Sequence, residues 1–284
     1  MMKHQVIMLF LALMFTTQIP AITPQSLESA DASYQKGLQH ITTMWHSLKG
    51  LHPAWEKLYP VCIAHGDNYY LYVATPQGDW SLEQIVNRPG QVPQEIRAAY
   101  PLDFADNQIA CVIDPSVFED QKQMIIVFHE FVHCYQFNTC EAEIKGSLEV
   151  CRAEMMKQNW MWELNYDFPY NDRKVAKTYL AMIKAARQGK SDRVRKLRSQ
   201  LRSMISEQDW EYLTWQEFKE GTARYLENEL NARYGYRLST SSSKQPLNRV
   251  IFYEGGERMI RLLIKANPSV ATDLPLLWHA LRYE

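Results

Sequence analysis

The chain is expected to fold as α+β. Three observations carry that expectation. Short segments rich in β-branched and aromatic residues fall before Pro115, helical periodicity dominates from Gln121 onward, and the two kinds of segment never alternate as a βαβ fold requires. Composition fits a packed core: of 284 residues, 46% are hydrophobic and 22% charged, with eight Trp and sixteen Tyr beside eleven Gly. That balance excludes wholesale disorder and disfavours a Gly-rich barrel or a phosphate-loop protein.

The first 21 residues read as a secretory signal. Lys3 supplies a positive start, Val6–Phe15 is an unbroken apolar run of ten residues, and Ile19-Pro20-Ala21 offers a cleavage site. The run is shorter than the about 20 residues that cross a bilayer. The mature chain is therefore expected to begin near Ile22, to be secreted or periplasmic, to have no stable membrane insertion, and to form a single domain over residues 22–284.

Within that domain, Asp31–Lys49 carries Leu38, Ile41, Trp45 and Leu48 at helical spacing and stops at Gly50. Val61–Ala74 predicts a hairpin around His65-Gly66-Asp67-Asn68. Gln108–Asp114 is a short strand stopped by Pro115, expected at a sheet edge where an extended peptide could add to it. Helices follow over Lys122–Asn138, Arg173–Gln188, Ser191–Ser206 and Glu207–Tyr234, the last ended by Gly235. Ser239–Ser243 is a loop, and a final helix spans Glu257–Ala266 before Asn267-Pro268.

Lys+Arg 31 against Asp+Glu 32 gives a net charge of −1. No global electrostatic attraction to nucleic acid or to an anionic membrane follows. The exception is local: Arg187–Arg202 holds seven cations against Asp192 alone, a pattern expected of a solvated helix face, or else of a contact with anionic envelope surfaces or acidic substrates. The five cysteines contain no C-x-x-C pair, which excludes an ordinary Cys-based zinc site. Cys140 and Cys151 are close enough in sequence to pair across one loop, and the odd count leaves at least one thiol over.

One motif carries chemistry. His129-Glu130-Phe131-Val132-His133 is H-E-x-x-H, and on a helix its i and i+4 imidazoles project from one face toward a common ion. Neutral imidazole nitrogen suits Zn²⁺, and Glu130 beside it suits a general base acting on water at the open coordination position. A third ligand is needed. The metzincin extension fails, because Cys134–Thr139 holds neither its Gly nor its His, and His279 is the sole later histidine. Glu149, Glu154 and Glu220 are the candidate carboxylates.

The segment Lys219-Glu220-Gly221-Thr222-Ala223-Arg224-Tyr225 makes the choice. Together with HExxH it resembles the gluzincin metallopeptidases, whose downstream Glu stands in an E-G-x-A segment followed by an aromatic, and it is similar to secreted bacterial zincin-like proteins. The gap from His133 is longer than in the aminopeptidases of that clan, and their G-x-M-E-N segment has no counterpart here. The resemblance implies Glu220 as third ligand, Zn²⁺ as cofactor, and hydrolysis of a peptide or protein substrate. It also implies a zincin-like fold, with a small antiparallel sheet packed on the HExxH helix and a mainly helical C-terminal half. Gly221 and Ala223 would let the Glu220 helix approach the HExxH helix. Glu217 and Glu227 share the face of Glu220 and would either meet solvent or orient ligands. Tyr253 is either a packed aromatic or an oxyanion donor. Two further classes compete: a non-catalytic, secreted zinc-binding or envelope-associated protein, and a zinc hydrolase of a non-peptide amide.

Overall fold

The computed structural model describes residues 24–241 and 246–283; the expected signal segment lies outside them. Helix α1 (Pro24–Leu48) precedes five strands: β1 (Val61–His65), β2 (Asn68–Ala74), β3 (Trp80–Asn87), β4 (Arg97–Leu102) and β5 (Gln108–Ile113). The rest is helical: α2 (Gln121–Gln136), α3 (Ala142–Ser147), α4 (Glu149–Met156), α5 (Trp162–Asn165), α6 (Arg173–Arg187), α7 (Ser191–Arg202), α8 (Glu207–Arg233), α9 (Ile251–Ala266) and α10 (Leu274–Tyr283). The class is α+β, as expected.

The sheet order is β3-β2-β1-β5-β4. It is mixed, which corrects the expected antiparallel sheet: β1 and β5 run parallel, from Val61 opposite Cys111 to Ile63 opposite Ile113. The β2–β3–β4 excursion carries the chain far enough to return in the same direction. The Gln108–Asp114 strand is consequently interior, between β1 and β4, and cannot serve as the edge that an extended peptide joins. Its unbroken burial from Ile109 to Ile113 is the mark of a strand covered on both faces. The edges are β3 and β4, both partly exposed.

One face of the sheet, through Val61, Ile63, Tyr72 and Cys111, packs on α1 and α2. Helix α2 starts at Asp120, whose carboxylate accepts from the Gln123 amide at 2.9 Å. It lies between the sheet and α8: Ile125, Phe128 and Val132 share one apolar cluster with Ala223, Leu226 and Leu230. Helix α8 begins with a capping box between Ser206 and Asp209 and ends at Gly235, whose φ is +74°. Its first half, with Trp210, Trp215 and Phe218, belongs to the core of the helical half, so α8 is the wall common to both cores.

A glycine contact holds α9 against α8. A Cβ on Gly221 would stand 2.6 Å from the Gly256 Cα, and one on Gly256 would collide with the Glu217 carbonyl. Gly221 therefore serves the α8–α9 crossing and not, as expected, the approach to α2; fully buried Ala223 faces the α2 side. Gly256→Ala should destabilise the protein by about 1–3 kcal/mol, because backbone meets backbone and neither can yield locally. Chemical denaturation checks this, and a loss below about 0.5 kcal/mol would refute the contact's importance.

All five cysteines are free thiols, so Cys140 and Cys151 are not paired. The basic helix is not wholly solvated either, since Arg198 on α7 is 2% exposed. Among the described residues no helix is long and apolar enough to cross a membrane.

Candidate metal centre

Helices α2 and α8 bring His129, His133 and Glu220 together, with one ligand atom from each lying within 4.8 Å of the others. The Glu220 Oε2 atom is 3.3 Å from His133 Nε2 and 3.8 Å from His129 Nε2. Donors bonded tetrahedrally to one ion at about 2.0–2.1 Å stand about 3.3–3.4 Å apart, so the set fits a zinc-sized cation.

The outer nitrogens of both imidazoles are fixed. His129 Nδ1 donates to Glu227 Oε2 at 2.9 Å. His133 Nδ1 donates to Gln136 Oε1 at 2.9 Å. The Gln136 amide is itself oriented, because its Nε2 donates to the Lys219 carbonyl at 3.1 Å and to that of Phe218. With Nδ1 the donor in each ring, Nε2 is the nitrogen that faces Glu220. Both supports come from, or lead back to, α8. The helix that carries Glu220 thus also sets the two histidines.

Glu220 is held from its other oxygen: Arg249 Nη1 donates to Oε1 at 2.9 Å, which leaves Oε2 for the histidine side. Arg249, just before α9, also reaches Gln216 Oε1 at 3.3 Å. Glu227 is steadied by Ser239 Oγ and by Arg224 Nε at 3.3 Å.

The electrostatics favour a cation between the helices. Burial alone would lower the His129 pKa, but the Glu220 and Glu227 carboxylates overcome it and raise the value to about 10. Burial alone would likewise raise Glu220, yet His133, His129 and Arg249 hold it well below the usual carboxylate range. Glu227 is kept at about 2 against its own burial by His129, Arg224 and Ser239.

Glu130 lies beside the cluster, 6% exposed. Burial raises its pKa, only partly offset by the two histidines. Among the described residues no hydrogen bond reaches its carboxylate, in contrast to Glu220 and Glu227. Tyr253 is half-buried in the first turn of α9. Its ring lies nearly parallel to His129, with centroids 6.2 Å apart and an interplanar angle of 16°. The Arg224 and Arg249 guanidinium centres each stand 5.3 Å from that ring.

The other candidates lie elsewhere. Glu149 pairs with exposed Arg152, and Glu154 binds Lys157 and Asn159, each at 2.7 Å. His279 on α10 packs by Tyr283. Glu217 accepts from Tyr179 and Arg198, each at 2.8 Å, inside the helical core. The one face that Glu217, Glu220 and Glu227 share in sequence is therefore divided: Glu227 holds His129, whereas Glu217 braces the fold. Gln136 stands three residues after His133, a spacing that marks a same-face partner. Arg249 follows a loop and has no local signal.

Comparison of the chain with family models, curated proteins and solved structures finds no match.

Proposed function

We propose that the chain is a zinc-dependent peptidase of gluzincin type, acting on peptides or proteins outside the cytoplasm after loss of its N-terminal signal. The observation that carries this reading is the juxtaposition of three side chains that could hold a metal, His129, His133 and Glu220, with a buried carboxylate, Glu130, that no hydrogen bond reaches among the described residues. A metal held only for structure needs no such neighbour.

His129 and His133 would hold zinc through Nε2 and Glu220 through Oε2. When bound, zinc supplies Lewis acidity toward a scissile carbonyl and toward water. Glu130 takes the proton of the attacking water and delivers it to the leaving nitrogen, for which its raised pKa suits it. Glu227 and Gln136 keep the histidines in the ligating tautomer, and Arg249 keeps Glu220 Oε1 out of the cluster. The Tyr253 hydroxyl, kept protonated first by burial and then by the neighbouring Glu220, would be the donor to a developing oxyanion.

One observation favours a second reading. The four side chains His129, Glu130, His133 and Glu220 are only 6–8% exposed, which also suits a non-catalytic zinc-binding protein. Metal analysis followed by digestion of a mixed peptide library separates the two. Stoichiometric zinc, with cleavage abolished by a chelator and restored by Zn²⁺, is expected. Stoichiometric zinc without cleavage would reject the peptidase in favour of a non-catalytic zinc protein or a hydrolase of a non-peptide amide, and absence of zinc would overturn all three.

A further inference from the structure

The helical hairpin α6–α7 stands apart from the rest of the surface in charge. Residues 173–202 hold eleven Lys and Arg against Asp192 alone, a local charge of +10 in a chain whose total is −1. Ten of these cations are exposed. Arg187, Arg195 and Arg202 reach Glu254, Asp192 and Glu207, and Arg198 is buried. Among the described residues the other seven make no ion pair.

Their arrangement on α6 is directional. Arg173, Lys177, Leu180 and Lys184 follow i, i+4, i+7 and i+11 and lie on one face, while Val175, Tyr179, Met182 and Ile183 bury the opposite one. A surface groove of about 610 Å³ opens on the cationic face. Arg173 and Lys177 stand on its rim, and Ala176, Leu180 and Pro246 supply apolar lining.

We infer that the α6–α7 hairpin is a docking face for an anionic phospholipid surface. A lipid phosphate has its partners in Arg173 and Lys177, and the apolar lining receives the first part of an acyl chain. Lys184, Lys190 and the α7 cations Arg193 and Lys196, all exposed, would add to the attraction. This combination selects lipid over polynucleotide. The hairpin's sole aromatic, Tyr179, is buried, so no exposed ring is present for a base to stack on. Arg198, bonded to Glu217 at 2.8 Å, anchors the hairpin to α8, so membrane binding would orient the whole protein. The inference is independent of any bound metal.

Co-sedimentation of the full chain with vesicles tests it, using about 30 mol% phosphatidylglycerol in phosphatidylcholine against phosphatidylcholine alone at physiological salt. The charged vesicles should bind at least about tenfold more tightly, and the preference should fade as salt rises. The triple variant Arg173→Ser/Lys177→Ser/Lys184→Ser should weaken that binding about 100-fold, at about fivefold per cation, with its thermal midpoint unchanged. Should that variant fail to fold, Arg193→Ser/Lys196→Ser on α7 should lose about 25-fold by the same rule. Three results would each overturn the inference: no preference for the charged vesicles, a folded variant that binds like the parent, or a DNA duplex bound as tightly as the vesicles.

Discussion

Glu130→Gln should lower the rate of peptide hydrolysis by at least about 10²-fold, the lower range for a positioned general base. Gln keeps the shape of the side chain but cannot accept a proton from water at neutral pH. Zinc content should stay at the parental value, because the proposal assigns the ligand atoms to His129, His133 and Glu220 and none to Glu130. Burial should also make the effect hard to rescue, since solvent cannot easily substitute a base in a site whose carboxylate is 6% exposed. Parallel kcat and metal measurements on parent and variant test both halves. Unchanged turnover would remove Glu130 from the chemistry, and loss of zinc would show that it helps to hold the metal.

Arg198→Ala should destabilise the fold by about 3–5 kcal/mol, the cost of leaving one member of a buried ion pair alone. Arg198 donates to Glu217 and to the Leu281 carbonyl, and its guanidinium lies 4.7 Å from the Trp210 ring, so α7, α8 and α10 meet at one side chain. Glu217 has no exposure at all, and without Arg198 only the Tyr179 hydroxyl still compensates its charge. Replacing the pair together, as Arg198→Met/Glu217→Leu, should recover most of the loss, since apolar residues of similar volume are often tolerated in place of a buried pair. Denaturant titration of single and double variants gives the coupling directly. A single variant within about 1 kcal/mol of the parent would mean that water reaches the pair.

Much of this architecture is legible in sequence wherever a local rule governs it. The end of α8 follows from Gly235, the β1–β2 hairpin from its turn, and the pairing of His129 with His133 on α2 from i, i+4 spacing. The failures have physical causes as well. Strand β3 alternates weakly because it is a polar edge, and β4 carries Pro101, tolerated there for the same reason. Gly255 and Gly256 read as a break before Glu257, whereas α9 runs unbroken from Ile251, because their missing side chains make room for Tyr179 and α8. The parallel β1–β5 pairing, the Arg249 contact and the Arg198–Glu217 pair join residues distant in the chain, and no periodicity encodes such contacts. In the candidate site, HExxH and Glu220 are visible as motifs, but the division of labour between Glu217 and Glu227 depends on which neighbours each helix face meets.

The most direct test is zinc titration of Glu220→Ala beside Glu154→Ala and Glu227→Ala. Glu220→Ala should weaken zinc affinity by more than about tenfold, beyond the low end of what removal of an orienting partner costs. Glu227→Ala should cost less, because it takes away the support of His129 Nδ1 and not a ligand atom. Glu154→Ala should bind as the parent does, since that carboxylate is committed to Lys157 and Asn159. Parental affinity in Glu220→Ala, or loss of zinc in Glu154→Ala, would contradict a centre built from His129, His133 and Glu220.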